Sequence, residues 1–169
     1  MTMADKELNA EDWKAEGTGH VTREAYDEAL QCYQKAIELD AQDAETWRLA
    51  GGVHHRLGNY RESVACQDKA LQLDPEDAAA WFLKGLSLIP LNQAADALEC
   101  IDKAITLNAD DSSFWLARSA ALLRLPASQQ EEAVASILKA VDLQNAIRMS
   151  RSTTVPPAEE EDPPPATQT

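Results

Sequence analysis

The chain is poor in the residues that mark a catalytic, membrane or nucleic-acid-binding protein. It has 169 residues with three cysteines, three histidines and six glycines, and aromatics make up only 5%. No stretch approaches the roughly 18 consecutive apolar residues of a membrane helix, and the opening MTMADKELNAEDW is charged where a secretory signal needs an apolar run. A cytoplasmic protein without a membrane segment is the expectation. Basic residues are also scarce, 15 against 29 acidic for a net charge of -14. Displacing counterions from nucleic-acid phosphates needs clustered cations, so nucleic acid is excluded as the general partner class. No glycine-rich phosphate loop, HExxH, GxSxG or CxxC occurs, and the reading is a non-catalytic protein with no cofactor and no metal.

What the chain does have is repetition. All four tryptophans stand 34 residues apart, at Trp13, Trp47, Trp81 and Trp115, each followed four residues later by a small residue: Gly17, Gly51, Gly85 or Ser119. A second ruler runs through KAIELD, KALQLD, KAITLN and KAVDLQ, starting at Lys35, Lys69, Lys103 and Lys139 with steps of 34, 34 and 36. Trp115 keeps the schedule and Lys139 is late, which places a two-residue insertion between them, in LPASQQ.

Each unit reads as two helices. DAETWRLAGGVHHRL gives way to a turn at Gly58-Asn59, and YRESVACQDKALQLD then runs to Pro75, which cannot continue a helix. A tryptophan and a small residue four places on share one helix face, and the small residue lets a second helix approach, with Ala29, Ser63 and Ala97 answering from the other side. This pattern resembles the tetratricopeptide repeat. The expected fold is all-α, a superhelix of four such repeats at about residues 10–43, 44–77, 78–111 and 112–147. A lead-in of residues 1–9 precedes the 10–149 repeat domain. A Pro- and Glu-rich tail follows from 150 to 169, holding five of the eight prolines. Departures from the family pattern are Ala41, Ala109 and Asn145 where proline is common, Gln67 where an aromatic is usual, and Pro90, which should shorten the first helix of the third repeat.

Adjacent His54 and His55 point about 100° apart on a helix and cannot grip one ion. His54 shares its place with His20, Leu88 and Leu122 and reads as structural. Cys32, Cys66 and Cys100 are also 34 apart, but stacked equivalents lie about 8–10 Å from one another, too far for a disulfide or a shared zinc. Free thiols in a reducing compartment follow.

The resemblance implies a concave groove lined by the first helix of each repeat, binding a peptide segment of a protein partner as an adaptor or scaffold. It maps Lys14, Arg48, Leu49, His55 and Arg56 onto the polar half of that groove. Phe82, Leu83, Leu86, Ile89, Leu116 and Leu123 form an exposed apolar strip in the other half, with Arg124 at its end. Counting groove positions gives four basic residues against two acidic, Glu11 and Glu45. The expected ligand is therefore an apolar stretch followed by acidic residues, bound more tightly below about pH 6.5 as His55 gains charge. A chaperone-type carboxylate clamp is argued against, because only Lys14 matches it, while Thr18, Leu49, Ala79 and Leu83 occupy its other places. Two alternatives stand beside this: folding of the acidic tail into the groove, and self-association into a homo-oligomeric scaffold through a terminal repeat that lacks a full capping helix.

Overall fold

The computed structural model describes residues 8–126 and 130–152. Among them the chain forms eight helices and no strand: α1 Ala10–Thr22, α2 Tyr26–Leu39, α3 Ala44–Arg56, α4 Tyr60–Leu73, α5 Ala78–Leu88, α6 Ala94–Leu107, α7 Ser112–Leu122 and α8 Gln130–Ser152. The starts of α2, α4, α6 and α8 are spaced by 34, 34 and 36 residues, so the extra two residues do precede α8.

Local chemistry sets these boundaries. Asn9, Asp43, Asp77 and Asp111, again 34 apart, cap α1, α3, α5 and α7. Each side chain accepts from a first-turn amide at 2.9–3.1 Å, and losing such a cap costs about 1 kcal/mol. Between paired helices, one residue turns the chain in the left-handed region: Glu24 (φ 59°), Gly58 (φ 79°) and Asn92 (φ 62°). Pro126 holds that place in the fourth repeat, and its ring fixes φ near -65°. The same turn cannot form there, which is where the chain inserts residues; 127–129 lie outside the described residues. Helix α5 stops two residues before Pro90, but α7 is equally short with Arg124 in that place, so proline alone does not account for the shortening.

Helices pack in sequence, α1 on α2 through α7 on α8, and the odd-numbered helices also touch one another along the array. Even-numbered helices have no comparable mutual contact among the described residues. The odd-numbered helices therefore line the inside of the curve and the even-numbered ones its outer side. Within each pair the small residue of the tryptophan motif faces a large one from the second helix: Gly17 faces Tyr33, Gly51 faces Gln67 and Gly85 faces Ile101. All three large side chains are buried. Each later tryptophan reaches back to the preceding linker, its indole N–H donating to Ala41, Pro75 or Ala109 carbonyl oxygen at 2.9–3.0 Å. The core is accordingly a row of local clusters, one around Tyr33 and Val53, one around Ala70 and Ala80, and one around Ile101 and Ile89.

Candidate peptide-binding groove

The inner face of α1, α3, α5 and α7 carries the residues that the sequence singles out, but it does not present them as one surface. Lys14 is wrapped by carboxylates, with Nζ 2.8 Å from Glu11 and 3.1 Å from both Asp43 and Glu45. The Glu11 contact does most to hold its ammonium far above the ordinary lysine range, against the pull of burial. Arg48 is likewise engaged, Nε at 3.0 Å from Asp77 and Nη2 at 3.4 Å from Glu45. Asp43 is partly buried, which opposes ionisation, yet donation from Thr46 and Lys14 outweighs this and keeps its carboxyl below the usual range.

This corrects the count of four cations against two carboxylates. Asp43 and Asp77 sit at helix caps rather than at groove positions, so they escaped the count, although each neutralises a cation of the helix pair before the helix it caps. Their signal was present as an acidic residue four places before Trp47 and Trp81. Among the described residues, Arg56 and Arg124 have no carboxylate partner. They do not converge, since Arg124 lines a separate depression with Asn92, Gln93 and Asp96 at the α5–α6 turn.

His55 belongs to a polar network instead of a free basic end. Its Nδ1 lies 2.9 Å from Ser87 Oγ, which is 2.8 Å from Ser63 Oγ and donates to Leu83 carbonyl oxygen at 2.9 Å. With the Ser87 proton committed to Leu83, its oxygen accepts from both Ser63 and the Nδ1–H of a neutral imidazole. The ring also meets Tyr60 edge-on at 5.4 Å. Burial, helped by Arg56, pushes the imidazole below its ordinary value. Its charge therefore arrives at lower pH than the sequence reading expects.

The apolar strip is broken as well. Phe82 packs on Phe114 with ring centroids 4.7 Å apart, and Phe82 and Leu86 lean on the Ile101 cluster. Ile89 is 8% exposed and belongs to that core, whereas Leu116 and Leu123 are 42% and 59% exposed. Phe82, Leu86 and Ile89 are drawn inward where α5 meets α7 on the inside of the curve, while Leu83 turns toward α3 beside Gly52.

What the inner face does offer is a hollow of about 320 Å³ between α1, α3 and α5. Val21, Leu49, Val53 and Leu83 give it apolar walls, Tyr33 and Thr18 share a 3.3 Å hydroxyl contact there, and Arg48, His55 and Arg56 supply its polar groups. Gly52 opens onto it: a Cβ there would meet only Leu83 Cδ1, at 3.8 Å. A larger depression of about 570 Å³ lies on the outer side between α4 and α6, but its charges are mixed and Lys84 pairs with Asp68 at 2.6 Å.

Models of the tetratricopeptide repeat match residues 20–58, 44–77 and 78–111, together more than half of the chain. The chain is a tetratricopeptide repeat protein. Its repeats form a protein–protein interaction scaffold. No curated protein matches it significantly. Among solved structures, a crystal structure of MamA is 18% identical with a TM-score of 0.78, over 85% of this chain and 83% of that one. MamA residues 41-end from Desulfovibrio magneticus RS-1 give 18% and 0.76, over 83% and 78%. The Arabidopsis OM64 TPR domain gives 17% and 0.67, over 69% and 96%. These likenesses establish the fold. Among the described residues no helix is long and apolar enough to cross a membrane.

Proposed function

We propose that this tetratricopeptide repeat protein is a non-catalytic adaptor that holds a peptide segment of a protein partner in its concave groove, anchoring one bulky apolar side chain in the hollow beside Gly52. The observation that carries this reading is the hollow itself, apolar-walled and opening beside Arg56, a cation without a carboxylate partner among the described residues. An apolar anchor gives affinity through burial, and an acidic residue next to it in the ligand would meet Arg56 in a charge-assisted hydrogen bond. Lys14 and Arg48 order the wall instead of contacting the ligand.

Gly52→Leu is the decisive variant. The new side chain fills the hollow, and leucine is a better helix former than glycine by roughly 0.5–0.8 kcal/mol, so the fold is kept while the site is lost. Pull-down with wild type, Gly52→Leu and Arg56→Glu should return a partner that both variants lose. Retention of every partner by Gly52→Leu, with helicity intact, sinks the reading.

A second reading rests on α8. Ile137 stands where the repeat ruler puts Tyr33, Gln67 and Ile101, yet it is 38% exposed and its neighbour Leu138 is 60% exposed. An apolar face that the earlier repeats cover with a following helix here lacks one among the described residues. Self-association through α8 would cover it, and sedimentation velocity tests this: a concentration-independent monomer excludes it, and a dimer broken by Ile137→Glu supports it.

A further inference from the structure

The three cysteines exclude one another as metal partners along the array, but a different grouping forms across the first helix pair. Glu16 and His20 are four residues apart on α1 and share a face, and Cys32 reaches them from α2. One carboxylate oxygen, one imidazole nitrogen and the thiol sulfur lie within 4.8 Å of one another, with the cysteine buried. His20 Nε2 is 3.9 Å from Glu16 Oε1. Ligands around a tetrahedral zinc, at about 2.0–2.3 Å from the metal, stand roughly 3.5 Å apart. Closing from 4.8 Å to that spacing requires side-chain rotation of about an ångström.

The other repeats show what this seam holds. In the third, Lys84 takes the place of Glu16 and pairs with Asp68 at 2.6 Å. In the fourth, Arg118 takes it, pairing with Asp102 at 2.7 Å and donating to Ser136 Oγ at 3.0 Å, where Ser136 stands in the place of Cys32. Asp68 and Asp102 belong to the second helix of the preceding repeat, so each cation ties its repeat to the one before, and Arg118 also reaches α8 of its own pair through Ser136. In the first repeat the cation is replaced by Glu16, with no preceding helix among the described residues to supply an acidic partner, and Lys35 lies over the Trp13 ring at 3.9 Å from its centroid. The second repeat has Ala50, His54 and Cys66 at these places and lacks the carboxylate. Only the first repeat combines donors of all three kinds.

We propose that Glu16, His20 and Cys32 bind a divalent zinc ion that clamps α1 to α2, with Glu16 standing at the position that Lys84 and Arg118 occupy in later repeats. A mixed oxygen, nitrogen and sulfur set suits zinc, and three protein ligands leave the fourth position to water. On binding, Cys32 gives its thiol proton to solvent as the zinc–sulfur bond forms. Among the described residues the first repeat has a neighbouring repeat on one side only, and the clamp secures it.

Calorimetric titration of zinc chloride into the full chain, under a reductant that does not bind metal, tests this. One equivalent should bind, and cobalt(II) in its place should show a thiolate-to-cobalt absorption band. Cys32→Ser should abolish the band. Glu16→Gln, at an exposed position where folding is not at risk, should weaken zinc binding at least about tenfold. Cys66→Ser, the equivalent thiol of the second repeat, should change neither. Absence of stoichiometric zinc binding, retention of it in both Cys32→Ser and Glu16→Gln, or equal loss in Cys66→Ser would each overturn the assignment.

Discussion

Gly51 and Gly52 are neighbours on α3 and gain the same helix propensity on substitution, yet they should respond to alanine with opposite signs. A Cβ at Gly52 meets only Leu83 Cδ1, at 3.8 Å, an ordinary contact. Gly52→Ala should therefore stabilise by close to the full propensity difference, about 0.8–1 kcal/mol. A Cβ at Gly51 runs into the Gln67 amide and lies 3.0 Å from both Cys66 Cβ and Gln67 Cδ. Gln67 is fully buried and its Nε2 donates to Arg48 carbonyl oxygen at 3.1 Å, so the amide has no free direction in which to retreat. Overpacking costs about 1–3 kcal/mol, and displacing the amide forfeits a hydrogen bond worth about 1 kcal/mol. After the propensity gain, Gly51→Ala should be destabilised by about 1–3 kcal/mol, which sets the two variants about 2–4 kcal/mol apart. For a domain of this size that is a separation of roughly 6–12 °C in Tm. Thermal melts followed by circular dichroism would read it. Equal melting temperatures would refute the close approach of α3 to α4 at Gly51, and would leave the glycine pair without a packing explanation. A Gly51→Ala, Gln67→Ala double variant should recover part of the single-site penalty, because the atom that Cβ strikes is then gone.

Glu24 is strained by its left-handed backbone, where Gly58 and Asn92 in the equivalent turns are not; Glu24→Gly should raise stability by about 0.5–1 kcal/mol in urea unfolding, and a loss would show that the turn does not demand this geometry. His54 has a buried Nδ1 with no hydrogen-bond partner, and burial, opposed by Glu62, holds its imidazole below the ordinary range. Its folded pKa lies under the unfolded value of about 6.5, so it contributes stability that is present above pH 6.5 and is lost as pH falls through the folded value. His54→Leu, which copies Leu88 and Leu122, should raise the urea midpoint and flatten its decline between pH 8 and 5. His55 shifts the same way and leaves a residual slope. An unchanged slope in the leucine variant would assign the acid limb elsewhere.

The architecture was legible because a repeat writes each structural demand several times. Trp13 with Gly17 is weak evidence of a helix pair, but three further copies at the same spacing turn a local pattern into a periodic core. The two-residue lag of Lys139 was legible for the same reason. The groove was much less so. A position rule assigns Lys14 and Arg48 to the inner face, but their effective charge depends on Asp43 and Asp77, which cap the following helix and look in the sequence like helix caps only. Ile89 follows the rule for an inner-face residue and is nonetheless buried, because curvature brings α5 against α7. Spacing along the chain does not encode that curvature.

Asp43 and Asp77 each serve the helix they cap and also the cation of the preceding helix pair, so the ion pairs of Lys14 and Arg48 are part of the stacking between helix pairs. Such part-buried pairs are costly to break one-sidedly. A ligand carboxylate that displaced Asp43 or Asp77 from its cation would leave a helix cap and a carboxylate unsatisfied together, so a ligand gains little by competing there. Under the proposed groove-binding function, recognition is left to what is unclaimed: the shape of the hollow at Gly52, the Arg56 guanidinium, and the exposed Leu116 and Leu123 further along. Reversing charge at Arg48 should therefore lower stability more than it changes partner choice, and reversing it at Arg56 should do the opposite. Melting temperatures and pull-downs on Arg48→Glu and Arg56→Glu side by side would separate the two effects. If Arg48→Glu lost partners with its stability unchanged, the inner-face ion pairs would have to be recast as ligand contacts.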